Sequence, residues 1–321
     1  MKKIILFFIC FFPIYAWALE VPNLSSEAAI VYDMDLESVI WDKNSNEVRS
    51  VASLTKIMTV LTAKENIDNF SENVFITNEM LAGIYWNASV AGLKVGDTVT
   101  YQDLLYAAIL PSGADATQIL AYAVSGSVDT FVAKMNELAK KIGVENTHYV
   151  NTTGLDQDGA YSTAYDQMLI LNYALQNPLF KEIYTTKEYT LTNGLKVEAS
   201  VNKYNQVLNL DTSKIIGSKT GNTDLAGLCM SALFYHEDHE MILITLGAER
   251  IDDLPYNLID TLTIIDTVNQ NYEIPVADVT TESVFLEKEE IETFNIPYEV
   301  VIVLVVVLFL GLTLLCRRKK K

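Results

Sequence analysis

Ala52-Ser53-Leu54-Thr55-Lys56-Ile57-Met58-Thr59 is the stretch on which the reading of this 321-residue chain turns. From Ser53 onward, Leu54, Ile57, Met58 and Leu61 recur at i, i+3, i+4 and i+7, the period of a helix with one apolar face. Ser53 and Lys56 stand three apart, so they share a helix face and the amine can reach the hydroxyl. A serine needs an adjacent base to become a nucleophile, and an amine is a base only when neutral. Burial and the positive end of a helix both favour the neutral amine. Taken alone the pattern is weak, because an N-cap serine followed by a solvated lysine reads the same way.

Strands are expected on both sides of this helix. Ala28 to Asp33 and Val39 to Trp41 flank a polar turn, Met34 to Ser38, and read as a β-hairpin. Asp33, Asp35 and Glu37 imitate the start of a calcium loop, but Ser38 stands where glycine is needed and Asn44 where glutamate is needed. Helical stretches are predicted near Tyr101–Leu110, Ala114–Ala123, Val128–Ile142 and Ala164–Leu175. A second hairpin is predicted from Leu228–Tyr235 and Met241–Gly247 across a turn, His236 to Glu240, and a closing helix over Leu258–Val268. The expected fold is therefore α+β: one antiparallel sheet with strands from both chain ends, flanked by the intervening helices.

The two ends of the chain set the compartment. Lys2 and Lys3, the apolar run Ile4–Phe12 and Ala16-Trp17-Ala18 predict a signal peptide over residues 1–18. Val300 to Cys316 is uncharged and followed by five cations, Arg317 to Lys321. That predicts a transmembrane helix over 298–316 with a cytoplasmic tail over 317–321. Between them, residues 19–274 form the expected catalytic domain and 275–297 an acidic stalk. The formal net charge of -18 hides this division. All 41 acids lie between the two end segments with 16 of the 23 bases, a net of -25 for the outward part. Phosphate binding needs a basic face, so a nucleic-acid partner is excluded. Of three cysteines, only Cys229 lies in the exported part, so no intrachain disulfide forms there. The predicted location is a bacterial cell membrane, single-pass, with the catalytic domain outside and the bilayer as partner of the C-terminal helix.

Two more motifs follow the first. Ser112-Gly113-Ala114-Asp115 offers a second serine able to relay a proton. Lys219-Thr220-Gly221, within Gly217 to Thr223, offers a cation for a substrate carboxylate, while its glycine admits close backbone approach. Each has an ordinary reading, as a helix cap or a tight turn. In this order, S-x-x-K, a serine turn and K-T-G resemble the penicillin-binding and serine β-lactamase superfamily.

The resemblance narrows further. Asn44 with Ala52–Thr59, Gly92-Leu93-Lys94-Val95-Gly96-Asp97, Asp103-Leu104-Leu105, Gly154-Leu155, Ser162 to Asp166 and Gly217 to Thr223 with Ala226-Gly227 are similar to the D-alanyl-D-alanine carboxypeptidases of peptidase family S11. The likeness runs from about Ala28 to about Val268. It implies a β-lactamase/transpeptidase-like fold and removal of the terminal D-Ala from peptidoglycan stem pentapeptides through an acyl-enzyme. Penicillins and other β-lactams would acylate the same serine. Carried over, Ser53 is the nucleophile, Lys56 the base and Ser112 the proton relay. Lys219 and Thr220 bind the terminal carboxylate, with Gly221 between them and Asn222, and the backbone N–H groups of Ser53 and Asn222 form the oxyanion hole. No metal or organic cofactor is implied.

Four departures stand out. Ala114 replaces an expected asparagine, Ala160 a histidine, and Asn257 an arginine for which nearby Arg250 is a substitute candidate. The residues after Val268 leave no room for the β-rich domain many members carry before their anchor. Ala114 keeps open a catalytically weakened peptidoglycan-binding protein. A β-lactamase would need a glutamate for deacylation, for which Glu198, near Asn202, is read as a solvated charge instead. A zinc hydrolase would need His236, His239 and Glu240 to converge with another donor, His148 being distant in sequence.

Overall fold

A computed structural model describes residues 19–202, 210–252 and 254–275. The predicted signal peptide, the stalk beyond Pro275, the predicted membrane span and the cationic tail lie outside the described residues. Among the described residues no helix is long and apolar enough to cross a membrane.

The chain opens with β1 (Ala28–Asp33), β2 (Ser38–Lys43), a 3-10 turn (Ala52–Leu54), α1 (Thr55–Glu65), β3 (Asn73–Phe75), α2 (Asn78–Leu81) and β4 (Thr98–Thr100). Then come α3 (Tyr101–Ile109), α4 (Ala114–Ser125), α5 (Val128–Ile142), α6 (Ala164–Leu175) and α7 (Pro178–Thr185). The remainder is β5 (Glu188–Thr190), β6 (Lys196–Glu198), β7 (Gly217–Thr223), β8 (Gly227–His236), β9 (His239–Ala248) and α8 (Tyr256–Asn271). The main sheet has the order β2-β1-β9-β8-β7 and every pairing in it is antiparallel. Strands from both chain ends thus share one sheet, joined where Ala28–Asp33 pairs with Leu246–Met241.

Burial explains the join. Each residue of β1 is buried, and so is β9 from Met241 to Ala248. Strands buried at consecutive positions need cover on both faces. Helix α8 packs against β8 and β9, and α6 against β9 and β1. Helix boundaries follow local chemistry. Thr100 and Asp103 form a capping box on α3, and Ser127 and Thr163 cap α5 and α6. Gly126 and Gly143 end α4 and α5 in the left-handed conformation.

Two local expectations are corrected, and one ordinary alternative is set aside. The predicted helix start at Ser53 is a 3-10 turn, and the α-helix begins at Thr55. The predicted turn His236–Glu240 shrinks to Glu237 and Asp238, because His236 and His239 pair directly. Gly217–Thr223, whose composition suits a turn, is a full edge strand. Its glycines and polar residues have low strand propensity, and pairing with β8 overrides it.

Candidate active site

The site begins with backbone strain. Ala52 has φ 48 and Ser112 φ 64, a region disfavoured for residues with a Cβ. At Ala52 the twist places the carbonyl oxygen where a Cβ on Gly154 would overlap it, so only glycine fits opposite. β7 closes from the other side: a Cβ on Gly221 would stand 3.0 Å from Ala52 Cβ and 3.1 Å from Ser53 N. The Ser53 turn is therefore clamped between the Thr153-Gly154 loop and the K-T-G strand.

Within the clamp, Lys56 Nζ lies 2.8 Å from Ser53 Oγ and donates to the Thr153 carbonyl at 2.6 Å. Lys56 is 2% exposed. Burial lowers its pKa to about 7, while the Asp115 carboxylate pulls the other way. Desolvation outweighs that distant charge, so near neutral pH the amine is a usable base. Thr153 is the contact that motif reading missed. Its signal is Asn151-Thr152-Thr153-Gly154, in which Asn151 Oδ1 accepts from Thr153 N at 3.1 Å and Gly154 N at 2.7 Å, fixing the carbonyl's direction.

Lys219 is also buried, at 1% exposure, and donates to the Thr220 carbonyl at 2.7 Å. Its pKa lies well below that of an ordinary lysine, first through burial and then through Lys56. Two buried amines near each other disfavour double protonation, and an anion bound beside them would relieve the cost of the cation. Ser112 is buried in the turn before α4. Asp115 accepts from Ala91 N (2.8 Å), Gly92 N (2.9 Å), Leu93 N (3.0 Å) and Ala116 N (2.9 Å). It thereby ties the Gly92-Leu93 segment to the start of α4 beside Ser112.

The other candidates separate. Asn257 is buried on α8 and donates to the Cys229 carbonyl at 2.9 Å, a packing role. Arg250 lies over the end of β7, donating to the Thr223 carbonyl and to Asp224 at 2.9 Å. With Asn222 and Tyr85 it lines an open cavity of about 380 Å³. Glu198 stands on β6 opposite Glu188 in a small hairpin. Glu240 accepts from Lys181 at 2.7 Å, and His236 Nδ1 lies 3.0 Å from Asn269 Oδ1. His239 Nδ1 lies 2.8 Å from Asp33 Oδ2. His236, His239 and Glu240 therefore serve three separate partners and do not converge.

A half-buried Ser53 against the buried Lys56, facing a K-T-G strand, matches a penicillin-binding type of serine site. The sequence model described as D-alanyl-D-alanine carboxypeptidase, Peptidase S11, matches residues 16–250, and the chain belongs to that family. It is similar to D-alanyl-D-alanine carboxypeptidase DacF of Bacillus subtilis, 33% identical over 228 residues, covering 70% of this chain and 57% of the relative. DacC of Escherichia coli is 33% identical over 249 residues, covering 74% and 60%. The chain thus spans less than two thirds of the length of these relatives. Among solved structures, a Mycobacterium tuberculosis D-alanyl-D-alanine carboxypeptidase superposes with TM-score 0.70 at 25% identity, covering 82% of this chain and 98% of that one. The Streptomyces K15 DD-transpeptidase does so with TM-score 0.68 at 27% identity, covering 77% and 98%.

Proposed function

We propose that this protein is a membrane-anchored serine-type D-Ala-D-Ala carboxypeptidase that trims the terminal D-Ala from peptidoglycan stem pentapeptides and is acylated by penicillins at Ser53. The observation that carries this reading is the contact between the buried Lys56 amine and Ser53 Oγ. Lys56 takes the hydroxyl proton as Oγ attacks the penultimate carbonyl. The backbone N–H groups of Ser53 and Asn222 receive the oxyanion. Ser112 passes a proton to the departing D-Ala amine, and Lys219 and Thr220 hold its carboxylate. Water then hydrolyses the Ser53 ester, with Lys56 again the base. The predicted signal peptide would export the acidic domain and the predicted C-terminal span would hold it outside the cell membrane.

Ala114 favours the weakened-enzyme alternative, since the expected asparagine would hold Lys56 and substrate. The Thr153 carbonyl already supplies an anchor for Lys56. The full chain in detergent should be labelled by fluorescent penicillin and should release D-Ala from a diacyl-Lys-D-Ala-D-Ala peptide, both lost in Ser53→Ala. Absence of labelling overturns the acyl-enzyme. Labelling without D-Ala release establishes the weakened protein. Rapid, repeated nitrocefin turnover makes it a β-lactamase.

A further inference from the structure

Along one face of β7, Gly217, Lys219 and Gly221 follow one another at alternate positions. Gly221 meets the Ser53 turn, and Gly217 meets α7, where a Cβ would stand 2.6 Å from the Tyr184 ring. Lys219 lies between these two contacts. Tyr184 is buried on α7, and its hydroxyl lies 2.8 Å from Ser231 Oγ on β8. Ser231 is the residue paired with Lys219 across the β7–β8 ladder. Residues paired in this way carry their side chains on the same face, so the Ser231 hydroxyl stands beside the lysine. The phenol oxygen is also within reach of the Lys219 backbone N–H. One hydroxyl pair thus joins α7, β7 and β8 at Lys219.

We propose that Tyr184 and Ser231 are positioning residues for Lys219, and through it determinants of specificity for a substrate that ends in a free carboxylate. This rests on the reading that Lys219 holds that carboxylate. Packing alone does not ask for the two hydroxyls. Phenylalanine would fill nearly the volume of Tyr184, and Ser231 interrupts an otherwise apolar run from Leu228 to Phe234. A buried hydroxyl is costly unless paired, and a pair of apolar groups of the same shape would be nearly neutral. Burial raises the Tyr184 pKa, so the phenol stays protonated and offers a fixed dipole rather than a charge. β7 is an edge strand of low strand propensity, and any tilt of it carries the amine along. The hydroxyl pair fixes the strand at the residue whose side chain must meet the anion.

The test compares probes that differ only in that carboxylate. Acylation of the full chain in detergent is timed with benzylpenicillin and with its methyl ester. Equilibrium binding of a Lys-D-Ala-D-Ala peptide and of its C-terminal amide is measured on Ser53→Ala. In both pairs the free acid should be preferred. Tyr184→Phe should cut that preference about three- to tenfold, the scale of one buried hydrogen bond, with the loss falling on the acid of each pair. Ser231→Ala should act in the same direction, and the double variant should lose less than the two separate effects combined, because they share one bond. An unchanged preference in both variants overturns the proposal. So does an equal fall for acid and ester, which marks a packing role. Absence of any preference with Tyr184 intact overturns it as well, because Lys219 then holds no carboxylate. If neither penicillin acylates Ser53 but the acid preference of Ser53→Ala still falls with Tyr184→Phe, the positioning role stands and the acyl-enzyme reading falls.

Discussion

Two places in the molecule bury a charge-bearing side chain and treat it in opposite ways. At the nucleophile turn, Lys56 is buried with a hydroxyl, one carbonyl and no carboxylate in contact. At the end of β1, Asp33 is fully buried, but Oδ1 accepts from Asp35 N at 3.0 Å and Leu36 N at 2.9 Å, while Oδ2 faces His239 Nδ1 at 2.8 Å. Asp35, Asp33 and His239 bring ligand atoms within 4.8 Å of one another, yet the two carboxylates are engaged by the hairpin backbones, Asp35 Oδ2 accepting from Glu240 N at 2.8 Å. The satisfied charge locks two turns together. The under-satisfied one is driven toward its neutral form and becomes reactive.

The largest effects should come from the reactive end. Lys56→Met removes the base and should slow acylation by penicillin about a thousandfold while the protein stays folded. A near-normal rate constant would move the base elsewhere. Acylation should rise with pH through about 7, because the free amine is the active form of a group whose pKa is lowered to about 7. A rate flat from pH 5.5 to 9 would contradict that. Gly154→Ala should cost about 3 kcal/mol, since a Cβ there both strains the backbone and strikes the Ala52 carbonyl, and labelling should fall with it. Thermal melting tests this directly.

At the satisfied end the expected change is smaller and of a different kind. His239→Leu should lower the melting temperature, since it leaves the buried Asp33 carboxylate short of a partner. Penicillin acylation of the folded fraction should not change. The Asp33 hydrogen bond raises the His239 pKa. A raised histidine contributes stability that is complete below its unfolded pKa and lost as pH rises through its folded pKa. Wild type should therefore lose melting temperature on going from mildly acidic to alkaline pH relative to His239→Leu. Parallel curves would remove the ion pair from the account. The smallest change is Ala114→Asn, expected to raise kcat/KM for the peptide about three- to tenfold by adding one hydrogen-bonding group. Equal rates would show that Thr153 already does the work.

Much of the site was legible because its groups are close in sequence. Ser53 and Lys56 are three residues apart, and Lys219, Thr220 and Gly221 are consecutive. The apolar runs of β1, β8 and β9 announce buried strands, and α5 and α6 match their predicted limits, Val128–Ile142 and Ala164–Leu175. The Thr153 carbonyl was not legible, because every residue has a carbonyl and only the chain path aims this one. The left-handed Ala52 and Ser112 were equally hidden, since alanine and serine carry no local reason to adopt that conformation. β7 was obscured by turn-like composition.

By itself the sequence determined the chemistry available and its order along the chain: a serine, a lysine, a second serine and a K-T-G segment, set among two hairpins and a run of helices. The tertiary structure alone decided that both motif lysines are buried and that Lys56 sits against Ser53 Oγ. Lys56 and Lys219 are ordinary amines in sequence. Burial among β7, the 3-10 turn and the Thr153 loop lowers the pKa of both, and desolvation is a property of the packed fold rather than of any residue.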